Sequence, residues 1–199
     1  MFKNYCHPTA IVEQNVVLGN NIHIWHFTHI REHAIIEDDV SIARDVYVDK
    51  GVRISKGTRI QNGVSIYSGV QIAPYCFIGP HVIFTNDLRP RAGNKQWSMT
   101  MTYLQMGCTL GAGAIVKAGI TVGEYALVGA GSVVTHNIPP FNLAVGNPAR
   151  VKAMVCSCGR SNLPLDTPRL ELLRDCCYEN LNEDAINHVK EYLMSVINH

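Results

Sequence analysis

Apolar side chains recur at every sixth position over most of the chain. A second series of small or β-branched side chains runs in step two residues earlier, from Ala10 to Val82. An α-helix and a β-strand repeat after about 3.6 and 2 residues, so neither produces this pattern. The period predicts a parallel β-helix, in which three short strands make a triangular coil of about eighteen residues and coils stack at roughly 4.8 Å. The six-residue series comprises Val12, Leu18, Ile24, Ile30, Ile36, Ile42, Val48, Ile54, Ile60, Ile66, Ile72, Ile78 and Phe84, then Leu110, Val116, Val122, Val128 and Val134.

One insertion interrupts the repeat, at about residues 85–105, with the sequence TNDLRPRAGNKQWSMTMTYLQ. Excursions of this length in a compact domain are usually functional, because ordering them costs entropy that packing seldom returns. Glycines recur in step with the repeat, as at Gly63 and Gly111. We expect them at tight corners, where glycine adopts a positive φ without strain.

The composition limits the partners that the chain can have. Its 17 basic and 16 acidic side chains leave a net charge of +1, so we expect no nucleic acid as partner. No apolar run reaches the roughly eighteen residues of a membrane span, and the N-terminal stretch lacks the apolar core of a signal peptide. The sequence predicts a cytoplasmic protein without a membrane span.

The last fifty or so residues follow a different pattern. Prolines in 138–140 and in 146–150 predict loops that end the β-helix. We therefore assign 1–152 to the β-helix domain and 153–199 to a C-terminal tail. Helical spacing of apolar residues predicts one helix over about 182–197, capped by Asn182 or Asn180, and a second over Pro168 to Cys177.

Seven cysteines are present. Cys76 and Cys108 fall in the small inward series, where a thiol packs as an apolar group, which argues against a disulfide framework. Four others could supply thiolates to zinc, but their pairs are CxC and CC instead of the usual CxxC. We therefore favour free thiols and expect no metal. The four are Cys156, Cys158, Cys176 and Cys177.

The hexapeptides and the terminal Gly-Asn-Pro-Ala-Arg of residues 146–150 resemble the left-handed β-helix acyltransferases. Residues 60–70 and 77–91, with Ile24-Trp25-His26-Phe27, are more specifically similar to the enzymes that N-acetylate nucleotide-linked 3-amino sugars. Their acceptors include UDP-2-acetamido-3-amino-2,3-dideoxyglucuronate and dTDP-3-amino-3,6-dideoxyhexoses. The left hand comes from this resemblance, because the general rule for parallel crossovers gives a right-handed coil.

The resemblance covers roughly residues 6 to 152. It implies an N-acetyltransferase with acetyl-CoA as donor, an amino-sugar nucleotide as acceptor, and a homotrimer whose sites lie between subunits. The enzymatic alternative is a 4-amino sugar nucleotide or another small acceptor. Because hexapeptides occur in many activities, a non-catalytic β-helical assembly module is a further alternative.

Asn86 is the candidate catalytic residue. It stands where the repeat breaks, one coil above Ser68, and the matched Thr85-Asn86 pair implies that its amide orients the attacking amine. Its carboxamide could also donate to the thioester oxygen. The alternative is a turn residue without a catalytic role.

The candidate substrate-binding residues surround this position. A guanidinium suits a carboxylate or a diphosphate. Arg91 is preferred over Arg89 because it lies in the matched Pro-Arg pair, and an ion pair to Asp87 or surface solvation is the alternative for both. Tyr67 would contact substrate or pack between subunits, and His81 would accept a proton or pack in a corner. The complete set is Asn62, Tyr67, His81, Thr85 and Arg91.

The coils after the insertion suit the coenzyme that the resemblance implies. Small residues leave the backbone open to a pantetheine arm, and basic side chains near the end of the β-helix could meet phosphates, although solvated surface positions are an alternative. The candidates are Gly111, Ala112, Gly113, Lys117, Ala118 and Arg150.

Overall fold

The computed structural model describes residues 3–160 and 162–197. Within these residues the chain forms 22 strands, mostly of two residues, and two α-helices preceded by a short 3₁₀ helix. The strands are β1 Tyr5–Cys6, β2 Ile11–Val12, β3 Val17–Leu18, β4 His23–Ile24, β5 His29–Ile30, β6 Ile35–Ile36, β7 Ser41–Ile42, β8 Tyr47–Val48, β9 Arg53–Ile54, β10 Arg59–Ile60, β11 Ser65–Ile66, β12 Val70–Ile72, β13 Phe77–Ile78, β14 Ile83–Phe84, β15 Thr102–Leu104, β16 Thr109–Leu110, β17 Ile115–Val116, β18 Thr121–Val122, β19 Leu127–Val128, β20 Val133–Val134, β21 Asn142–Val145 and β22 Arg150–Met154. The helices are the 3₁₀ helix Arg169–Leu172, α1 Asp175–Asn180 and α2 Glu183–Ile197.

Every third strand pairs in parallel, which makes three faces of a triangular solenoid. Face 1 begins with β1, β4 and β7, face 2 with β2, β5 and β8, and face 3 with β3, β6 and β9. Arg59 pairs with Phe77, which lies eighteen residues later in the sequence. Phe77 in turn pairs with Thr109, at a longer sequence separation because the insertion lies between them. The predicted parallel β-helix with one long insertion and a helical C-terminal tail is confirmed.

The inward series forms the core of the solenoid. From Ile24 to Phe84 each member is at most 2% exposed, while Val12 and Leu18 at the start of the stack are half-buried. Three threonines, Thr28, Thr58 and Thr102, are buried in this core, and each hydroxyl has a hydrogen-bond partner. Thr28 Oγ1 donates to the carbonyl of Ala43 at 2.7 Å, in keeping with the rule that buried polar groups are hydrogen-bonded.

The glycines of the repeat serve two different purposes. Gly63 has a φ of +68°, as expected for a corner. For Gly111 the expectation of a positive φ is wrong. The need for glycine has another cause here: a Cβ at this position would lie 2.5 Å from the backbone nitrogen of Ala130 in the next coil. Gly111 is required by the close approach of two backbones.

The β-helix has one further parallel strand between the two predicted loops, 138–140 and 146–150. After the prolines Phe141 turns the corner, its amide donating to the carbonyl of Glu124 at 2.8 Å, and β21 pairs in parallel with β19. Strand β22 then returns antiparallel to β21, so residues 146–149 form the turn of a hairpin. This hairpin closes face 1.

The tail packs along the edge between faces 3 and 1. The rings of Phe141 and Tyr125 stack with their centroids 5.4 Å apart. Both rings belong to one apolar cluster with side chains of β22, the 3₁₀ helix and α2. Asp184 at the start of α2 accepts hydrogen bonds from Lys56 Nζ at 3.2 Å and from the Tyr75 hydroxyl at 3.1 Å. The tail is therefore held by both apolar and polar contacts.

The helices of the tail differ in part from the expectation. Helix α2 lies where the sequence predicts a helix, and Asn182 Oδ1 caps it by accepting from the Ala185 amide at 2.8 Å. The single helix predicted over Pro168 to Cys177 is wrong. The amide and hydroxyl of Ser157 both donate to the carbonyl of Leu172 at 2.9 Å, which takes that carbonyl out of a continuous helical turn. No helix within the described ranges is both long enough and apolar enough to cross a membrane.

Candidate active site

The predicted site residues divide between the two edges of face 2. The first edge, between faces 1 and 2, carries Asn62, His81 and Gly111 to Gly113. The second edge, between faces 2 and 3, carries Tyr67, Thr85, Asn86, Lys117 and Ala118. Strand β14 joins His81 to Asn86, and five extended residues span about 16 Å. The two groups therefore lie on opposite edges of one face within a chain.

On the second edge the structure brings a predicted substrate residue against a predicted coenzyme residue. The Ala118 amide donates to Thr85 Oγ1 at 2.9 Å, and the Thr85 amide donates to the carbonyl of Val116 at 3.0 Å. Asn86 follows, half-buried, at the point where the chain leaves the coil. The backbone that carries the candidate catalytic residue thus lies beside the first coil that follows the insertion.

The insertion returns over the same edge. Thr102 ends the excursion, its amide donating to the carbonyl of Gly69 at 2.9 Å and its hydroxyl accepting from the Gly119 amide at 3.2 Å. A Cβ at Gly69 would lie 2.9 Å from Cγ of Met99, so the absence of a side chain there lets the loop pack closely. The loop covers the edge that carries Asn86.

Within the loop a polar hollow of about 260 Å³ opens. The side chain of Asp87 accepts from the backbone amide of Arg89 at 2.7 Å. Among the ion pairs of the described residues none joins Asp87 to Arg89 or Arg91. Arg91 is exposed and one of its guanidinium nitrogens donates to the carbonyl of Pro90 at 2.8 Å. The hollow is lined by Asp87, Leu88, Arg89, Asn94, Gln96, Ser98 and Thr100.

His81 lies on the first edge, away from Asn86 in the same chain. Its backbone has a φ of +56°, and its amide donates to the carbonyl of Asn62 at 2.8 Å. Its ring covers Gly63, where a Cβ would lie 2.5 Å from Nδ1. This geometry fits the corner-packing alternative that the sequence left open. The Gly113 amide donates to the carbonyl of Pro80 on the same edge.

The two basic candidates lie towards the C-terminal end of face 2. The Lys117 amide donates to the carbonyl of Val134, and the Ala149 amide, next to Arg150, donates to the carbonyl of Val133. Both basic side chains are exposed. They remain available to an anionic ligand.

Sequence reasoning missed a row of charged and polar residues below Thr85. His29 Nε2 lies 2.6 Å from Glu13 Oε1, and Arg31 Nη1 donates to Asp49 Oδ1 at 3.1 Å. The Tyr47 hydroxyl donates to the same Asp49 oxygen at 3.2 Å. Glu13, Arg31 and Asp49 are spaced by eighteen residues, the coil length, and this spacing was the signal that could have found them.

The row contains perturbed carboxylates. Burial of Asp49 opposes ionisation, but the amides of Lys50 and Ser68 and the Tyr47 hydroxyl outweigh it and hold the pKa of Asp49 below its ordinary value. The backbone amide of Glu32 and the ring of His29 likewise lower the pKa of Glu13. The Ser68 amide donates to Asp49 Oδ2 at 3.2 Å, so the row connects to the coil beneath Asn86.

The chain is similar to transferases in sequence. Residues 51–86 match the bacterial transferase hexapeptide family, and residues 106–136 match the hexapeptide repeat of succinyl-transferase. Over 61 residues it is 52% identical to the dTDP-3-amino-3,6-dideoxy-alpha-D-galactopyranose 3-N-acetyltransferase of Aneurinibacillus thermoaerophilus. This matched stretch makes up 31% of this chain and 32% of that enzyme. The matches thus span about a third of the length of such curated relatives.

Two solved structures share the architecture. A mutant of the GDP-perosamine N-acetyl transferase of Caulobacter crescentus, with CoA and GDP-perosamine bound, matches 76% of this chain and 57% of its own with a TM-score of 0.50 and 24% identity. LpxA from Acinetobacter baumannii matches 94% of this chain and 81% of its own, with a TM-score of 0.50 and 16% identity. At these identities the likeness concerns the fold alone. The two matched segments therefore show hexapeptide repeats similar to those of transferases, and they lie within the stacked coils.

Proposed function

We propose that this protein transfers acetyl from acetyl-CoA to the 3-amino group of a nucleotide-linked sugar. The observation that carries the proposal is the 52% identity over 61 residues to an enzyme named for 3-N-acetylation of a dTDP-linked 3-amino-3,6-dideoxy sugar. It makes a dTDP-3-amino-3,6-dideoxyhexose our first acceptor, with UDP-2-acetamido-3-amino-2,3-dideoxyglucuronate as the second.

The chemistry requires little more than orientation. The unprotonated amine attacks the thioester carbonyl, the carbonyl oxygen gains charge, and the C–S bond then breaks to release the coenzyme thiolate. The nitrogen loses a proton, and by way of solvent the thiolate gains one to become the coenzyme thiol. A sugar amine is partly unprotonated near neutral pH, so positioning supplies most of the rate. In this proposal the Asn86 carboxamide holds the amine, since its oxygen accepts from N–H, and its NH₂ can donate to the carbonyl oxygen.

The coenzyme would lie along the second edge, above the contact between Thr85 and Ala118. Gly119 is exposed and has no side chain to block the pantetheine arm, and Lys117 and Arg150 would bind the coenzyme phosphates. The acceptor would occupy the side covered by the loop. There Arg91 would bind the diphosphate or a sugar carboxylate, and Tyr67, 37% exposed, would contact the sugar or the base.

We also propose a homotrimer packed through face 2. The outward residues of this face include the apolar Ile11, Ile83, Ile115 and Val133, of which Ile11 is 57% and Ile83 44% exposed. Exposed apolar side chains aligned on one flat surface favour association with a second surface. Packing through face 2 would bring the first edge of one subunit, with Asn62 and His81, towards the second edge of its neighbour.

The direct test measures release of the coenzyme thiol from acetyl-CoA with a panel of acceptors. The panel holds dTDP-3-amino-3,6-dideoxygalactose, dTDP-4-amino-4,6-dideoxyglucose and UDP-2-acetamido-3-amino-2,3-dideoxyglucuronate, with acetyl-CoA alone as the control for hydrolysis. We expect turnover with a 3-amino sugar and a mass increase of one acetyl group on its nitrogen. Turnover with the 4-amino sugar alone would contradict the proposed acceptor. Absence of acetyl-CoA binding in calorimetry would favour a non-catalytic assembly module.

A further inference from the structure

Four thiols from two separate segments converge in the tail. Cys156 and Cys158 belong to the turn after β22, whereas Cys176 and Cys177 lie in the first turn of α1. Their Sγ atoms all lie within 4.8 Å of one another. Individual separations are 3.4 Å for Cys156–Cys158, 3.8 Å for Cys156–Cys176 and 3.6 Å for Cys158–Cys176.

These separations suit a tetrahedral metal ion. Four thiolates at the usual Zn–S length of about 2.3 Å are roughly 3.8 Å apart along each edge of the tetrahedron. A disulfide requires about 2.05 Å, so the sulfurs are too far apart for that bond. The Cys76 and Cys108 thiols also lie 3.7 Å apart, but they are a pair without further thiols inside the apolar column of the β-helix. Only the tail cluster provides a full set of four ligands in the described residues.

The backbone around the thiols is ordered by its own hydrogen bonds. Gly159, with a φ of +88°, donates its amide to the carbonyl of Cys156 at 2.8 Å and closes a tight turn that presents both cysteines of the CxC pair on one side. The Arg174 amide lies 3.4 Å from Cys177 Sγ and donates to it. Backbone amides that donate to sulfur commonly orient the thiolate ligands of a metal.

The thiol cluster lies where the tail needs additional stabilisation. Between β22 and α2 the described chain holds only a 3₁₀ helix of 4 residues and α1 of 6 residues, both too short to be stable alone. The apolar cluster under the tail is small, with Leu172, Val189 and Leu193 packed on Tyr125 and Phe141. Small folded segments with such a limited core commonly need a metal or a disulfide to stay folded.

We propose that Cys156, Cys158, Cys176 and Cys177 bind one zinc ion in a closed tetrahedral site that fastens the C-terminal tail to the β-helix. The proposal departs from the expectation of free thiols, which rested on the CxC and CC spacing. That spacing describes each pair alone, whereas the fold joins the two pairs. Four protein ligands leave no open position, so the ion has a structural role and takes no part in acyl transfer.

The first test uses the unmodified protein, produced in zinc-containing medium and freed of loosely bound metal. Mass spectrometry of the metal content should find one zinc per chain, released when a mercurial blocks the thiols. Replacement by Co²⁺ should give the sulfur-to-cobalt charge-transfer band and the ligand-field bands of a tetrahedral thiolate site. Folded protein without zinc, with all 7 cysteines titrating as thiols in denaturant, would overturn the proposal, and so would a disulfide among the four.

The zinc content of two cysteine variants tests whether the ion binds at this cluster. Cys158→Ser changes a half-buried ligand and should lower zinc content at least tenfold, whereas Cys6→Ser, at an exposed position outside the cluster, should leave it unchanged. Limited proteolysis of the zinc-free protein should cleave within residues 155–182 while the β-helix stays intact. Full zinc content in Cys158→Ser, or loss of zinc in Cys6→Ser, would place the ion elsewhere and refute the assignment.

Discussion

At the scale of single residues, two side chains carry most of the proposed chemistry. Asn86 is half-buried and directly follows Thr85, whose hydroxyl accepts from the Ala118 amide, so the backbone that carries Asn86 has a defined place. Arg91 is exposed in the loop and uses one guanidinium N–H on a local carbonyl, which leaves the others for a ligand. The first residue should therefore affect turnover and the second should affect binding of the acceptor.

Asn86→Ala should lower kcat far more than it changes the KM for acetyl-CoA. The amide is proposed to act on the attacking amine and the developing oxyanion, and loss of one such contact costs about 2.7–4 kcal/mol, or a hundred- to thousandfold in rate. Steady-state kinetics measures both constants. Asn187→Ala, on the exposed surface of α2, is the matched control and should behave as wild type. Near-normal turnover in a folded Asn86→Ala protein would remove Asn86 from the mechanism.

Arg91→Ala should raise the KM for the sugar nucleotide and leave that for acetyl-CoA nearly unchanged. Hydrogen bonds to charged groups contribute about 1.5–3 kcal/mol, which predicts a roughly ten- to hundredfold effect on the acceptor side. Arg44→Ala removes an exposed arginine in an earlier coil and serves as the control. If the variant instead lost affinity for acetyl-CoA, Arg91 would belong with Lys117 and Arg150 at the coenzyme phosphates.

At the scale of elements, the second edge of face 2 is held by contacts between successive coils. Glu13, Arg31 and Asp49 alternate in charge from one coil to the next, and Asp49 also binds the Ser68 amide. Side chains stacked on a rigid parallel ladder lose little additional freedom when they pair, because the backbone already fixes their spacing. The row therefore supports the edge on which Asn86 stands.

Asp49→Asn should lower the free energy of unfolding by about 1–3 kcal/mol at pH 7, because a half-buried acceptor of several hydrogen bonds loses its charge. The pKa of folded Asp49 is below its ordinary value of 3.8, so its stabilisation is complete above about that pH. It is lost as the pH falls through the lowered folded value. The difference between wild type and variant should accordingly narrow in strong acid.

Denaturant unfolding at several pH values and one protein concentration measures this effect. Asp166→Asn, at an exposed position in the tail, is the control and should change stability by no more than about 0.5 kcal/mol. A stability difference that stays constant from neutral pH to strong acid would show that Asp49 does not stabilise the edge through its charge.

At the scale of the whole molecule, face 2 is the surface through which a second subunit would complete the proposed site. The first and second edges lie on opposite sides of this face, and the tail occupies the edge between faces 3 and 1. The described part of the tail therefore leaves face 2 uncovered. Its apolar outward residues make it the surface that we assign to the trimer.

Ile83→Asp should dissociate the proposed trimer and abolish turnover, because a charge placed in an apolar interface loses its hydration without a partner. Sedimentation should find three times the chain mass of 22.0 kDa for wild type and a smaller species for the variant. Val17→Asp on face 3 is the matched control, since Val17 is 58% exposed and lies outside the assigned interface. A trimer that survives Ile83→Asp would place the interface on another surface, and a monomeric wild type would contradict the assembly itself.

The sequence by itself determined the solenoid. A period of six in apolar side chains admits one regular solution, because each inward residue meets the one eighteen positions later, and the buried series from Ile24 to Phe84 agrees with it. The insertion after Phe84 and the helix near the C-terminus were equally visible, since both depend on patterns within short stretches. The resemblance suggested the residues of the site, and their roles remain predictions.

Only the tertiary structure decided which of these residues meet. Thr85 contacts Ala118 across the whole insertion, and His81 lies on the opposite edge of face 2 although it is only five residues from Asn86. Gly111 is required by a backbone of the next coil, and the four tail thiols converge from two segments whose CxC and CC spacing had favoured free thiols. The physical reason is the same in each case. The six-residue period predicts which residues of successive coils meet. Contacts across the insertion, close approaches of backbones and contacts with the tail depend on how those segments pack, and the period does not encode this.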